Sequence, residues 1–184
     1  MNGPSRFFAL VALTAAACHH APPPTTTANL QCITPPAVAR DTAYGNRRTD
    51  TALSAAERDA LIQESRAYRA AWQARGITHY RVRIAVGCFC PWPQTPRLLE
   101  VRDGHAVALL DTLGRRAGAL REPWSPYTVE GLFDAVEQTA RRDDAMSVRY
   151  DACLGYPTMI RGDQRLGLPD DWFWVSATDL APRP

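Results

Sequence analysis

With 184 residues, 46% of them hydrophobic and 22% charged, the chain has room for one folded domain with a single core. The formal net charge of +2 falls to +1 if Arg6 leaves with a cleaved leader, which is too near zero to imply a nucleic-acid partner. All 21 basic residues are Arg, and the absence of Lys excludes Schiff-base chemistry, a P-loop lysine and a Ser–Lys dyad, because each needs a side-chain amine.

Residues 1–17 have the layout of a secretory signal peptide. One positive charge, Arg6, precedes the apolar run Phe7, Phe8, Ala9, Leu10, Val11, Ala12, Leu13, and the small residues Ala15, Ala16 and Ala17 lead into Cys18. The apolar run is too short to span a bilayer as a helix. Small residues directly before a cysteine resemble the bacterial lipobox, in which the Cys18 thiol takes up lipid and becomes the new N-terminus. Ala15 stands where a typical lipobox has Leu, so plain Ala-x-Ala cleavage to a soluble periplasmic protein stays open. The residue after Cys18 is not Asp, which favours the outer membrane as the destination in a cell that has one.

Residues 18–50 read as a disordered tether and an irregular arm. The stretch HHAPPPTTTA at 19–28 is rich in Pro and Thr and too poor in apolar surface to fold, so it suits a spacer. His19 and His20 on such a spacer offer too few fixed ligands for a metal site. Residues 31–50 show no period beyond a short strand expected at 37–40.

The folded domain is expected over residues 51–180. Ser54-Ala-Ala-Glu57 is a capping box, and Leu61, Tyr68 and Trp72 follow on one helical face, widened by Ala60, Ala67 and Ala71. Gly76 suits the position just past that helix. Tyr80, Val82, Ile84 and Val86 alternate with polar residues as in a half-buried strand, which ends in Gly87-Cys-Phe-Cys-Pro-Trp-Pro. Apolar runs at 98–102 and 106–110 flank Asp103-Gly104, a strong hairpin signal. Thr128 caps a second helix whose stripe is Val129, Leu132, Phe133, Val136 and Ala140, with Arg141 and Arg142 at its C-terminal end. Strands follow around Met146, Val148 and Tyr150, at 158–161 and at 172–176. The order α-β-β-β-α-β-β-β with short strand links predicts an α+β domain: an antiparallel sheet with two helices packed on one face.

A strand ending in C-x-C-P (Cys88, Cys90, Pro91), a hairpin on Asp103-Gly104, a helix start at 128–133, and the run Val148, Tyr150, Asp151, Gly155, Tyr156, Pro157 together resemble an uncharacterised family of bacterial lipoprotein domains. The resemblance covers about residues 61–176. It implies an exported, lipid-anchored domain, and it carries no known activity and no functional residues.

If Cys18 carries lipid, Cys32, Cys88, Cys90 and Cys153 form an even set in an oxidising compartment, where disulfides are expected. Four cysteines allow three connectivities. In an extended strand Cys88 and Cys90 lie on one face with Cα atoms roughly 6.5–7 Å apart, near the disulfide limit. The favoured pattern sends one of them to Cys32 and the other to Cys153. A Cys88–Cys90 bridge, permitted by a bend at Pro91, stays open. C-x-C with two distant single cysteines is not a standard zinc spacing, and a redox pair is usually C-x-x-C at a helix N-terminus, so no metal and no cofactor are expected.

No catalytic residue is expected either. His79 and His105 suit solvated positions beside a strand and a turn. The candidate serines lack a nucleophile-elbow frame, and the acid pairs Asp143-Asp144 and Asp170-Asp171 read as solvated turn residues. Tyr150-Asp151 and Gly155-Tyr156-Pro157 read as a structural turn. Trp172 and Trp174 share one face of the last strand, so one face of that strand should be core. Trp92, Trp124, Tyr127 and Tyr156 lie in or near loops and are the candidate surface for a peptide or envelope-protein partner. The expected function is therefore a non-enzymatic binding or structural module of the cell envelope, in the outer membrane or periplasm and held to the membrane by its lipid. A thiol-active protein using Cys88 or Cys90 is the alternative. An unrecognised hydrolase would need a deep pocket that sets Asp151 or an acid pair beside a His.

Overall fold

The computed structural model describes residues 51–88, 95–111, 113–117 and 127–184. The leader, the tether and the short strand expected at 37–40 lie outside the described residues.

Helix α1 (Ala55–Ala74) begins as the capping box requires. The Ser54 hydroxyl accepts from the Glu57 amide, and Glu57 in turn accepts from the Ser54 amide at 2.9 Å. Its buried face is Leu61, Ile62, Ser65, Tyr68 and Trp72. Ala67 is exposed, while Ala60 and Ala71 are half-buried, and Ile62 and Ser65 join the buried face. Gly76, at φ +62°, ends the helix in the left-handed conformation that costs glycine little.

Strands β1 (His79–Cys88), β2 (Arg97–Arg102) and β3 (His105–Leu110) follow, then helix α2 (Val129–Arg142) and strands β4 (Ala145–Tyr150), β5 (Pro157–Asp163) and β6 (Trp172–Pro182). They form one six-stranded sheet in the order β3-β2-β1-β6-β5-β4, and every neighbouring pair is antiparallel. The expected α+β class and element order are both met. The two longest strands, β1 and β6, pair at the centre, where both edges of each are satisfied. The short strands β3 and β4 form the edges. The β2–β3 hairpin turns on Asp103 at φ +50° and Gly104 at φ +75°, as a two-residue turn with both positions at positive φ demands.

The core lies between the helices and one face of the sheet. Tyr80, Val82, Ile84, Leu99, Val101, Ile160 and Val175 meet the α2 stripe, of which Val129, Leu132, Phe133, Val136 and Ala140 are at most 1% exposed. The two helices also join along their flanks, where Arg66 pairs with Glu137 at 3.3 Å and Arg69 with Asp134. The core side of β6 carries Phe173, Val175 and Ala177, so alternation puts Trp172 and Trp174 on the sheet face away from the helices. There Gly87 leaves the space that the Trp174 indole fills, since a Cβ on Gly87 would overlap the ring.

Candidate functional site

The first turn of a helix leaves free amide donors and a partial positive charge. At the start of α2 these needs are met by the hydroxyls of Thr128 and Tyr80 and by the carboxylate of Glu130. Thr128 Oγ1 accepts from the Gly131 amide at 3.2 Å. The Tyr80 hydroxyl, from β1, accepts from the Val129 amide at 2.8 Å and donates to Glu130 Oε2 at 3.1 Å. Trp72 Nε1, from α1, donates to the other Glu130 oxygen at 3.1 Å. One carboxylate thus ties α1, α2 and β1 together beside the helix N-terminus. Burial, and then the charge of Glu130, push the Tyr80 hydroxyl far above the ordinary tyrosine value, so it stays a neutral donor.

The other end of α2 is built differently. Asp143 follows the helix and is fully buried. Its Oδ1 accepts from Arg142 Nε at 3.0 Å, while its Oδ2 has no hydrogen-bond partner; Asp163 Oδ1 is likewise buried and unpartnered. Burial raises the Asp143 carboxyl above the usual aspartate range; the Arg142 hydrogen bond and charge oppose this, and the Asp163 charge adds to it. Gly162 makes the room, for a Cβ there would collide with Asp143 Oδ2 and the Phe173 ring and sit 2.9 Å from Thr139 Cγ2. The expectation that Asp143 is a solvated turn residue is therefore corrected. Its sequence context, a pair of acids just past a helix, gives no sign of the strand that closes over it. The other acid pair does lie in a turn, where Asp171 accepts from Arg165 Nε at 2.7 Å. Among the described residues no group of three or more His, Cys, Asp or Glu is placed to hold a metal ion.

The turn around Asp151 is structural, as expected. Asp151 Oδ1 accepts from the amides of Cys153 at 2.9 Å and Leu154 at 2.6 Å, and the Asp151 amide donates to the Tyr156 carbonyl at 2.9 Å. Gly155 closes it at φ +80°. His79 Nε2 lies 3.7 Å from Asp103 Oδ1 at the rim of the sheet, and His105 is exposed.

Two of the four residues named for the candidate aromatic surface, Tyr127 and Tyr156, are described. Tyr156 is 4% exposed and packs edge-on to Trp72 with centroids 6.2 Å apart, so it is core and offers no open surface. Tyr127 is half-buried against the core. Trp92 and Trp124 lie outside the described residues. The exposed large apolar residues include Trp172, on the helix-free face, with Leu113 and Leu168 in loops.

Of the cysteines, Cys18, Cys32 and Cys90 lie outside the described residues. Cys88 ends β1 opposite Phe173, which in turn pairs with Gly162 on β5. Cys153 lies in the β4–β5 turn, beyond the Tyr150–Pro157 pair. Gly162 is five steps along β5 from Pro157, or roughly 16 Å along the strand, and two strand spacings add about 9.5 Å across it. Cys88 and Cys153 are thus at opposite ends of the sheet, roughly 20 Å or more apart.

Two helices on one face of a six-stranded antiparallel sheet, with the first and last strands paired at its centre, define an α+β domain of two layers. Over residues 64–182 the chain matches the family of unknown function DUF6174, and it belongs to that family. No curated protein and no solved structure matches.

Proposed function

We propose that this chain is an exported, lipid-anchored envelope protein whose α+β domain serves as a non-enzymatic binding or structural module. The observation that carries this reading is the order of segments: a charged and apolar leader, small residues before Cys18, a Pro/Thr spacer, and then a domain that opens at a capped helix. Membership of a family of unknown function is compatible with it and adds no activity. None of the described helices is long and apolar enough to cross a membrane; in this reading the lipid on Cys18 is the membrane attachment. The partner would be a second envelope protein or a peptide, met in part by the exposed Trp172.

The test is intact mass of the natively expressed protein together with its Cys18→Ser variant. The expected result is a mature chain that begins at Cys18 and carries acyl mass, lost in the variant along with membrane fractionation. A mature chain that begins elsewhere without lipid defeats the anchor. The alternative, a thiol-active protein using Cys88 or Cys90, predicts rapid alkylation of one of these by iodoacetamide in the native state.

A further inference from the structure

We infer that the four cysteines outside the lipid site pair as Cys32 with Cys153 and Cys88 with Cys90, so that the N-terminal arm is stapled to the β4–β5 turn and the C-x-C at the end of β1 closes on itself. The inference rests on the exported, lipid-anchored reading, which removes Cys18 from the set and supplies an oxidising compartment.

Of the three possible pairings, two join Cys153 to Cys88 or to Cys90. Bonded cysteines have Cα atoms within about 7 Å. Cys88 is roughly 20 Å or more from Cys153, and Cys90 is two residues from Cys88, a reach of at most about 7 Å. The hydrogen bonds from Cys153 and Leu154 to Asp151, and from Gly155 to the Asp151 carbonyl, hold the turn tight beyond Pro157, so it does not fold back toward β1. Only the third pairing survives.

The arm has the reach this pairing needs. Its last turn before α1 is fixed beside β4, since the Leu53 amide donates to the Asp144 carbonyl at 2.7 Å. From there β4 runs as an edge strand for six residues, about 20 Å, to the turn that holds Cys153. The 21 positions from Leu53 back to Cys32 extend to about 70 Å. In each bridge two S–H bonds break and one S–S bond forms. The two protons and two electrons pass to an exchangeable disulfide of the envelope's thiol oxidants, which is reduced to two thiols.

The absence of Lys makes trypsin a clean probe, because it cuts only after Arg. Full-length protein exported natively is blocked with iodoacetamide and digested without reductant. The expected map has peptide 84–97, which holds both Cys88 and Cys90, alone and lighter by two hydrogens than after reduction. Peptide 150–161 is joined to the peptide ending at Arg40, which holds Cys32. A Cys32→Ser variant then exposes Cys153 alone to alkylation. Peptide 84–97 joined to peptide 150–161, or alkylation of Cys88 or Cys90 in that variant, overturns the pairing alone. Alkylation of all four thiols in the wild type overturns the pairing and the export reading together.

Discussion

The two ends of helix α2 solve the same problem in opposite ways. At the N-terminus the Val129 amide, the Tyr80 hydroxyl and the Trp72 indole all reach acceptors, and the Glu130 carboxylate lies where the helix dipole favours a negative charge. At the C-terminus a buried aspartate sits where the dipole disfavours it, with one oxygen unpaired and a second carboxylate nearby. A satisfied polar network fixes one arrangement of the elements it joins, whereas an unsatisfied one is a local reservoir of instability. The first end holds the domain together; the second makes a contribution to stability that changes with pH.

The largest effect should come from breaking the satisfied end. Glu130→Ala orphans the Trp72 indole donor and the Tyr80 hydroxyl donor at once, and should cost about 3 kcal/mol by urea unfolding. A loss no larger than that of an ordinary surface substitution would mean that the junction is not a joint. Next is Gly162→Ala at the other end. Its added methyl overlaps Asp143 and Phe173, so stability should fall by about 2 kcal/mol. Thr128→Ala removes only the cap to Gly131 and should cost about 1 kcal/mol.

The smallest effect has the opposite sign. Asp143 has its carboxyl raised by burial above the ordinary 3.8, so its contribution to stability is full below that value and lost as pH rises through the folded value. Asp143→Asn should therefore leave stability near wild type at acid pH and gain about 0.5–1 kcal/mol at neutral pH. Urea midpoints of both proteins across the acid range read this directly, and parallel curves would refute the assignment. Glu100 supplies the contrasting case. Its hydrogen bond from Arg81, with Arg102 adding to it, lowers its carboxyl below 4.5, so its contribution is present above that value and lost as pH falls.

Local patterns were enough to place the two helices and six strands, although β6 runs on to Pro182, past the strand expected at 172–176. The Ser54 and Thr128 caps, the apolar stripe of α2, the alternation through Tyr80–Ile84 and the Asp103-Gly104 turn each depend on residues within a few positions of one another, and each appears where the sequence places it. The cysteine count and the missing Lys likewise need no fold to be read.

What tertiary structure decided is everything that joins distant segments. No local pattern says that β6 pairs with β1, that Trp174 covers Gly87, or that Tyr156 is core rather than surface. The fate of Asp143 depends on a glycine 19 positions later, and the junction at Glu130 on residues 50 and 58 positions earlier. The cysteines follow the same division. With Cys18 set aside the other four permit three pairings, and it is the register of the sheet that puts Cys88 and Cys153 at opposite ends. Sequence periodicity reports which way a side chain faces, because that depends on its own backbone. Which partner it meets depends on how strands many residues apart come together.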